Sequence, residues 1–236
     1  MKVLMRTVIT ALVALSGTDA RANLVTNGSF ETGAPAAGCV AGTTTLTGWT
    51  VGTGNVDVDS KAAGCSGMSA ADGFYFVDLT GSGGGGAGSI YQTVSTTPGQ
   101  QYLLGFYFGG NPAWQYNSYP YGPYPNDGSI KSMNVLLNGN LLGTFGIDTT
   151  GFAATFPGWT HDQLYFTANS SATQLRFTSL NGANGTVYGP LLDGVSLDAV
   201  PGKPSVVPLP ASAWLMLGAL GGLALLVRQR ERSADY

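Results

Sequence analysis

Val135-Leu136-Leu137-Asn138-Gly139-Asn140-Leu141-Leu142 is the stretch on which the fold turns. Two apolar runs meet at an Asn-Gly pair, which readily takes positive φ at both central positions of a type I′ turn, so the string predicts two antiparallel strands joined by a two-residue loop. The same habit recurs on both sides of it. Val56 and Val58 alternate with Asp57 and Asp59, and Leu175 and Phe177 alternate with Gln174, Arg176 and Thr178, so one face packs and the other meets water. Thr97-Pro98-Gly99 marks a further turn, with Pro where a fixed φ helps and Gly where φ is positive. Strands are expected near 24–31, 46–51, 54–59, 73–79, 88–95, 101–109, 131–138, 141–146, 159–168, 173–180 and 190–198, and no segment between 24 and 198 keeps a helical period for three turns. The fold class is therefore all-β, an antiparallel jelly-roll β-sandwich. Residues 80–88, six of them glycine, read as a mobile loop, and 110–128, rich in Pro and Tyr, as a second non-strand stretch.

The two ends follow a different physics. Lys2 and Arg6 precede an apolar run over 8–15, and Ala20-Arg21-Ala22 supplies the small residues of a cleavage site, so residues 1–22 read as a secretory signal peptide. Residues 201–207 form a Pro-rich linker after a sandwich domain spanning 23–200. Pro208-Leu209-Pro210 then leads into seventeen uncharged residues, 211–227, and the basic Arg228, Arg230 and Arg232. Seventeen is the lower limit of the about 17 to 25 residues that span a bilayer. The segment 208–232 therefore reads as a transmembrane helix with a basic tail, the arginines cytoplasmic and the rest exported.

The exported part, 23–207, holds four basic residues (Lys61, Lys131, Arg176, Lys203) against ten acidic ones, a formal charge of −6. Phosphate binding needs clustered Lys and Arg, so nucleic acid is excluded as a partner. The two cysteines, Cys39 and Cys65, both fall in this part. Behind a signal peptide they are expected to form a disulfide, with free thiols or half a metal site as the alternatives.

Five strings carry a resemblance: Asn23-Leu24-Val25-Thr26-Asn27-Gly28-Ser29-Phe30-Glu31, Gly48-Trp49-Thr50-Val51, Phe76-Val77-Asp78-Leu79, Ile90-Tyr91-Gln92-Thr93-Val94 with the turn at 97–102, and Tyr188-Gly189-Pro190-Leu191-Leu192-Asp193-Gly194-Val195-Ser196-Leu197. In that order they resemble the choice-of-anchor C family, whose bodies are similar to galactose-binding-like jelly rolls. The tail, with its proline motif, Ala211-Ser212-Ala213-Trp214 and basic end, resembles a PEP-CTERM sorting signal, although Leu209 stands where that family has Glu. The resemblance implies an exosortase-type sorting enzyme as partner and a place in the cell envelope or outside the cell. The C-terminal helix would lie in the inner membrane before any processing. It also implies a structural Ca²⁺ where the first strand's Glu31 meets the last strand's Asp193, with oxygens from Asn27 and Ser29 needed to complete a shell of six to eight.

Catalysis finds little support in the residues. The exported part has one histidine, His161, in an alternating strand, and one glutamate, Glu31; no Gly-x-Ser-x-Gly, His-Glu-x-x-His or Cys/His pairing occurs. The expectation is that the protein is not an enzyme, with carboxylate-pair glycan hydrolysis as the enzymatic alternative. A second candidate site is the aromatic loop, where Trp114, Tyr116, Tyr119, Tyr121 and Tyr124 are interleaved with prolines. Such rings stack on the apolar faces of sugars, and prolines lower the ordering cost; the alternative is packing over the sandwich edge. Trp49 and Trp159 read as core. The functional expectation is a non-catalytic surface or matrix protein that binds exopolysaccharide, against a structural or adhesive spacer that associates with itself.

Overall fold

A computed structural model describes residues 23–35, 38–62, 65–82, 86–115, 128–182 and 187–201. The signal peptide, the segment 208–232, and Tyr116, Tyr119, Tyr121 and Tyr124 lie outside the described residues, as does the side chain of Trp114. The chain divides into two units, Met1–Val200 and Pro201–Tyr236, and only the first is described below.

Among the described residues fourteen strands follow one another: β1 (Val40–Thr43), β2 (Thr45–Leu46), β3 (Trp49–Val51), β4 (Val56–Ser60), β5 (Tyr75–Asp78), β6 (Thr80–Gly81), β7 (Gly86–Ala87), β8 (Ser89–Ser95), β9 (Gln101–Gly110), β10 (Ile130–Leu137), β11 (Asn140–Asp148), β12 (Thr160–Thr167), β13 (Ala172–Ser179) and β14 (Pro190–Ala199). One six-stranded sheet runs β1-β4-β5-β14-β9-β12 and the other β11-β10-β13-β8-β3-β2, with β6 and β7 as a small separate pair. From β8 onward the chain crosses repeatedly between the sheets, and the ladders are antiparallel. The all-β antiparallel sandwich is thus the observed fold. Among the described residues no helix is long and apolar enough to cross a membrane.

The core follows from alternation. Val56, Val77, Leu104, Phe106, Phe108, Leu192 and Leu197 from the first sheet meet Trp49, Ile90, Met133, Val135, Leu175 and Phe177 from the second in one buried cluster. Phe106 joins the layers, its ring edge-on to Phe145 at 5.0 Å and to Phe177 at 5.5 Å. The Asn-Gly turn forms as its chemistry requires, with φ of 49° at Asn138 and 82° at Gly139 and Leu137 paired with Asn140. Gln100 N–H closes the Thr97-Pro98-Gly99 turn on Thr97 O at 3.0 Å.

Three expectations need correction. Residues 24–31 are a turn-rich segment, not a strand, because Asn27 and Phe30 take positive φ (53° and 61°). The segment still docks on β14, through Leu24 N–H to Leu197 O and Val195 N–H to Gly28 O. The single strand at 46–51 is two strands broken at Thr47-Gly48, where Gly48 has φ of 81°. The glycine-rich loop at 80–88 is partly ordered: Thr80 pairs with Ala87 and Gly81 with Gly86. β1, short and without apolar alternation, was not expected.

Cys39 and Cys65 are joined, with Cα atoms 5.7 Å apart and a sequence separation of 26. The bond ties the entry of β1 to the segment that follows β4. Closing a loop of that length restricts the unfolded chain by about 3 to 4 kcal/mol. Replacing both cysteines by serine is expected to lower the denaturant-derived stability by about that amount, and an unchanged unfolding midpoint would show that the bond constrains little.

Candidate functional site

Residues 65–74 lie over the outer face of the first sheet as a strap, and carboxylates hold its backbone. Asp59 Oδ1 accepts from Ser66 N–H at 3.1 Å. Asp193 Oδ2 accepts from Ala71 and Asp72 N–H, both at 2.8 Å. Glu31 Oε1 accepts from Phe74 N–H at 2.7 Å and Tyr75 N–H at 2.9 Å. Trp159 Nε1–H adds a bond to Ser69 O at 2.8 Å. Beneath the strap Met68, Phe76 and Leu191 are fully buried against Ala70 and Trp159, with the Trp159 ring edge-on to Phe76 at 5.6 Å. Trp49 lies in the main core, whereas Trp159 is half-buried in this satellite.

Glu31 and Asp193, expected to share an ion, bond neighbouring peptides at the C-terminal end of the strap, 74–75 and 71–72 respectively. Asp193 uses both oxygens, since Oδ1 also accepts from Gly194 N–H at 2.7 Å. Asn27 spends its amide on Thr32 and Thr47: Oδ1 accepts from Thr32 N–H, and Nδ2 donates to both carbonyls. Both Asp193 oxygens, Asn27 Oδ1 and Glu31 Oε1 already accept N–H bonds, so a calcium ion there would compete with backbone donors. The one group of three potential metal-binding side chains among the described residues is Cys39, Asp59 and Cys65. Its two sulfurs are spent in the disulfide.

Asp193 is completely buried. Desolvation outweighs its three N–H bonds and pushes its carboxyl up to about 7. Burial likewise raises Asp57, Asp59 and, most strongly, Asp78, which also feels the charge of Asp57 across the β4–β5 ladder. Asp78 lies in a buried polar knot, accepting from Asn111 Nδ2 at 2.9 Å and Thr80 N–H at 2.8 Å. Close by, Lys131, also buried, donates to Tyr188 O at 2.7 Å.

Among the described residues, the face beside the strap is a shelf whose first row runs Asp193, Tyr107, His161 across β14, β9 and β12, and whose second runs Ser196, Gly105, Gln163. The Tyr107 and His161 rings lie 4.8 Å apart at 39°. Gly105 makes the floor: a Cβ there would approach Ser196 Oγ to 3.0 Å and His161 Nε2 to 3.4 Å. Gly194, at φ of 53°, fits between the Tyr107 ring and Asp72, which joins shelf to strap. Beyond them Tyr165 stands 58% exposed on the same face. His161 is exposed, as expected for a surface strand. Its neighbour Asp162 pairs with Phe106 and so points to the opposite side, accepting from Thr160 Oγ1 at 2.9 Å. His161 thus lacks the carboxylate that would orient a general base. Tyr107 was not singled out in the sequence: it sits between the apolar Phe106 and Phe108 in an expected strand, and only the pairing with β12 sets it beside His161.

A family model described as "Protein of unknown function (DUF642)" matches residues 23–198. The chain belongs to the DUF642 family. This DUF642 chain is also 30% identical over 183 residues to Halomucin of Haloquadratum walsbyi (strain DSM 16790 / HBSQ001), covering 74% of itself but spanning 2% of that protein's length. Among solved structures it is similar to TmCBM61 in complex with β-1,4-galactotriose, at 19% identity and TM-score 0.46, over 76% of this chain and 99% of that one. It is also similar to a family 16 carbohydrate-binding module, at 19% identity and TM-score 0.43, over 74% and 99%.

The raised Asp193 carboxyl makes this DUF642 fold sensitive to pH. Unfolded, the group loses its proton near 4; folded, it keeps it to about 7. Between those values the folded state binds more protons, so stability falls as pH rises from 4 to 7, by an amount on the order of a few kcal/mol. Asp193→Asn is expected to flatten that decline in urea midpoints measured across the range. A wild-type midpoint that climbs with pH would contradict the assignment.

Proposed function

We propose that the sandwich is a non-catalytic glycan-binding body of an exported surface or matrix protein, and that the shelf beside the strap holds a neutral sugar. The observation that carries this reading is the Tyr107–His161 ring pair next to the Gly105 floor. Rings bordering a dent in an otherwise polar sheet offer an apolar patch the width of a pyranose, and Ser196, Gln163 and Asp72 lie around it to take hydroxyl bonds. Both rings sit on paired strands, so little conformational freedom is lost on binding. The disulfide suits an oxidising compartment outside the cytoplasm. The apolar run 211–227 with Arg228, Arg230 and Arg232 supports sorting through a PEP-CTERM-like tail by an exosortase-type enzyme, with exopolysaccharide the glycan at hand.

A second reading, self-association as an adhesive spacer, draws on the outermost positions of β11 and β12, nine and eight residues long, each with one unpaired edge among the described residues. Long free edges invite pairing with another chain.

Affinity electrophoresis of the full chain through gels containing neutral polysaccharides separates the two readings. Retention is expected, and Tyr107→Ala should weaken it at least tenfold with the melting temperature unchanged. Equal retention of Tyr107→Ala would remove the shelf from the account. A Trp114→Ala variant reports on the aromatic loop in the same gels, and concentration-dependent dimers without retention would favour the spacer.

A further inference from the structure

The outer face of the second sheet carries a cation, Arg176, that makes no ion pair among the described residues. Arg176 on β13 stands directly across from Tyr91 on β8, and its guanidinium carbon lies 4.5 Å from the centroid of the Tyr91 ring. Its Nη1 donates to Ser89 Oγ at 3.3 Å. Gly52 leaves the space that this arrangement needs, since a Cβ there would come within 2.9 Å of Nη1 and 2.7 Å of Ser89 Oγ. The guanidinium therefore lies over an aromatic ring, with one nitrogen bonded to a hydroxyl. A guanidinium has five N–H donors, and the contact with Ser89 uses one nitrogen.

The charge around it is distributed unevenly. Asp57, Asp59, Asp78, Asp162, Asp193 and Asp198 all lie on strands of the first sheet. The strands of the second sheet carry a single acid, Asp148, the last residue of β11. Arg176 meets Leu136 on its other side, and the next positions on its own strand that share its face are Gln174 and Thr178. Asn134, paired with Thr178, bonds Thr144 at 2.7 Å on the same face. Among the described residues, the positions that share this face next to Arg176 are Leu136, Gln174 and Thr178, none of them acidic.

We propose that Arg176 on its Tyr91 platform binds the carboxylate of an acidic polysaccharide, a chain bearing uronic acids, across the outer face of the second sheet. The planar fork matches a carboxylate through two parallel N–H bonds, and the Tyr91 ring beneath it holds the fork in place before the ligand arrives. The flanking hydroxyls and amides suit the sugar hydroxyls of a ligand lying across strands. A single cation at this site, on a body of net negative charge, is too few for nucleic acid. The site is independent of the neutral-sugar shelf on the opposite sheet; a body with both faces would bridge two polysaccharides.

The test is affinity electrophoresis of the full chain in gels containing alginate, carboxyl-reduced alginate or dextran sulfate, with Tyr107→Ala run alongside. Wild type is expected to be retained by alginate and not by its carboxyl-reduced form. Arg176→Gln should weaken alginate retention at least tenfold, Arg176→Lys should restore only part of it, and Tyr107→Ala should leave it unchanged. Retention of Arg176→Gln by neutral polysaccharide equal to wild type, with the same melting temperature, shows that the fold and the shelf survive the change. Alginate retention indifferent to Arg176, or absent in wild type, overturns the proposal. Arg176-dependent binding of dextran sulfate alone overturns the carboxylate assignment.

Discussion

Carboxylate oxygens turned onto peptide N–H groups hold the outer architecture of this sandwich. Asp59, Asp193 and Glu31 each grip the strap at a different place, and the disulfide fixes its start. An irregular segment of this length leaves backbone donors without ladder partners, and those donors must be met. Here the acids of the sheet meet them. The strap can then bury Met68 over Phe76 and Leu191, which turns part of a flat sheet face into a wall.

That wall gives the face beside it its shape. A bare sheet face offers a ligand little enclosure, whereas a shelf ending in a wall presents two surfaces at once. Gly105 and Gly194 sharpen the corner, since a side chain at either would run into Ser196 and His161, or into the Tyr107 ring. The cost falls on Asp193, whose burial opposes its charge, and the site is therefore tied to a group that titrates near neutrality.

Much of the fold was legible because alternation and turn chemistry are local. The Asn138-Gly139 hairpin, the Thr97-Pro98-Gly99 turn and the long strands β8 to β14 follow from period two and positive φ, and the core from which residues alternate inward. The N-terminal segment misled because Asn27 and Phe30 adopt a left-handed backbone that an apolar string such as Leu24-Val25 does not announce. The site was harder. Glu31 and Asp193 both bond backbone amides, some 40 and 120 residues away in sequence, and a backbone donor leaves no signature in composition. Tyr107 and His161 become neighbours only through the β9–β12 register. Arg176 was visible as the outward residue of its strand, while its isolation from acids depends on which strands share a sheet.

The two sheets thus present different chemistry to the outside: one acidic, strapped and ring-bordered, the other open, neutral and centred on an arginine over a tyrosine ring. The central claim is that the face of the first sheet beside the strap is where a neutral sugar sits. Amide and ring chemical shifts, recorded by NMR while a neutral oligosaccharide is titrated in, test it most directly. The account predicts the largest changes at Gly105, Tyr107, His161 and Gln163, with Tyr91 and Thr178 unmoved. Changes confined to the second sheet or to the 116–127 stretch, with Tyr107 and His161 silent, would contradict it.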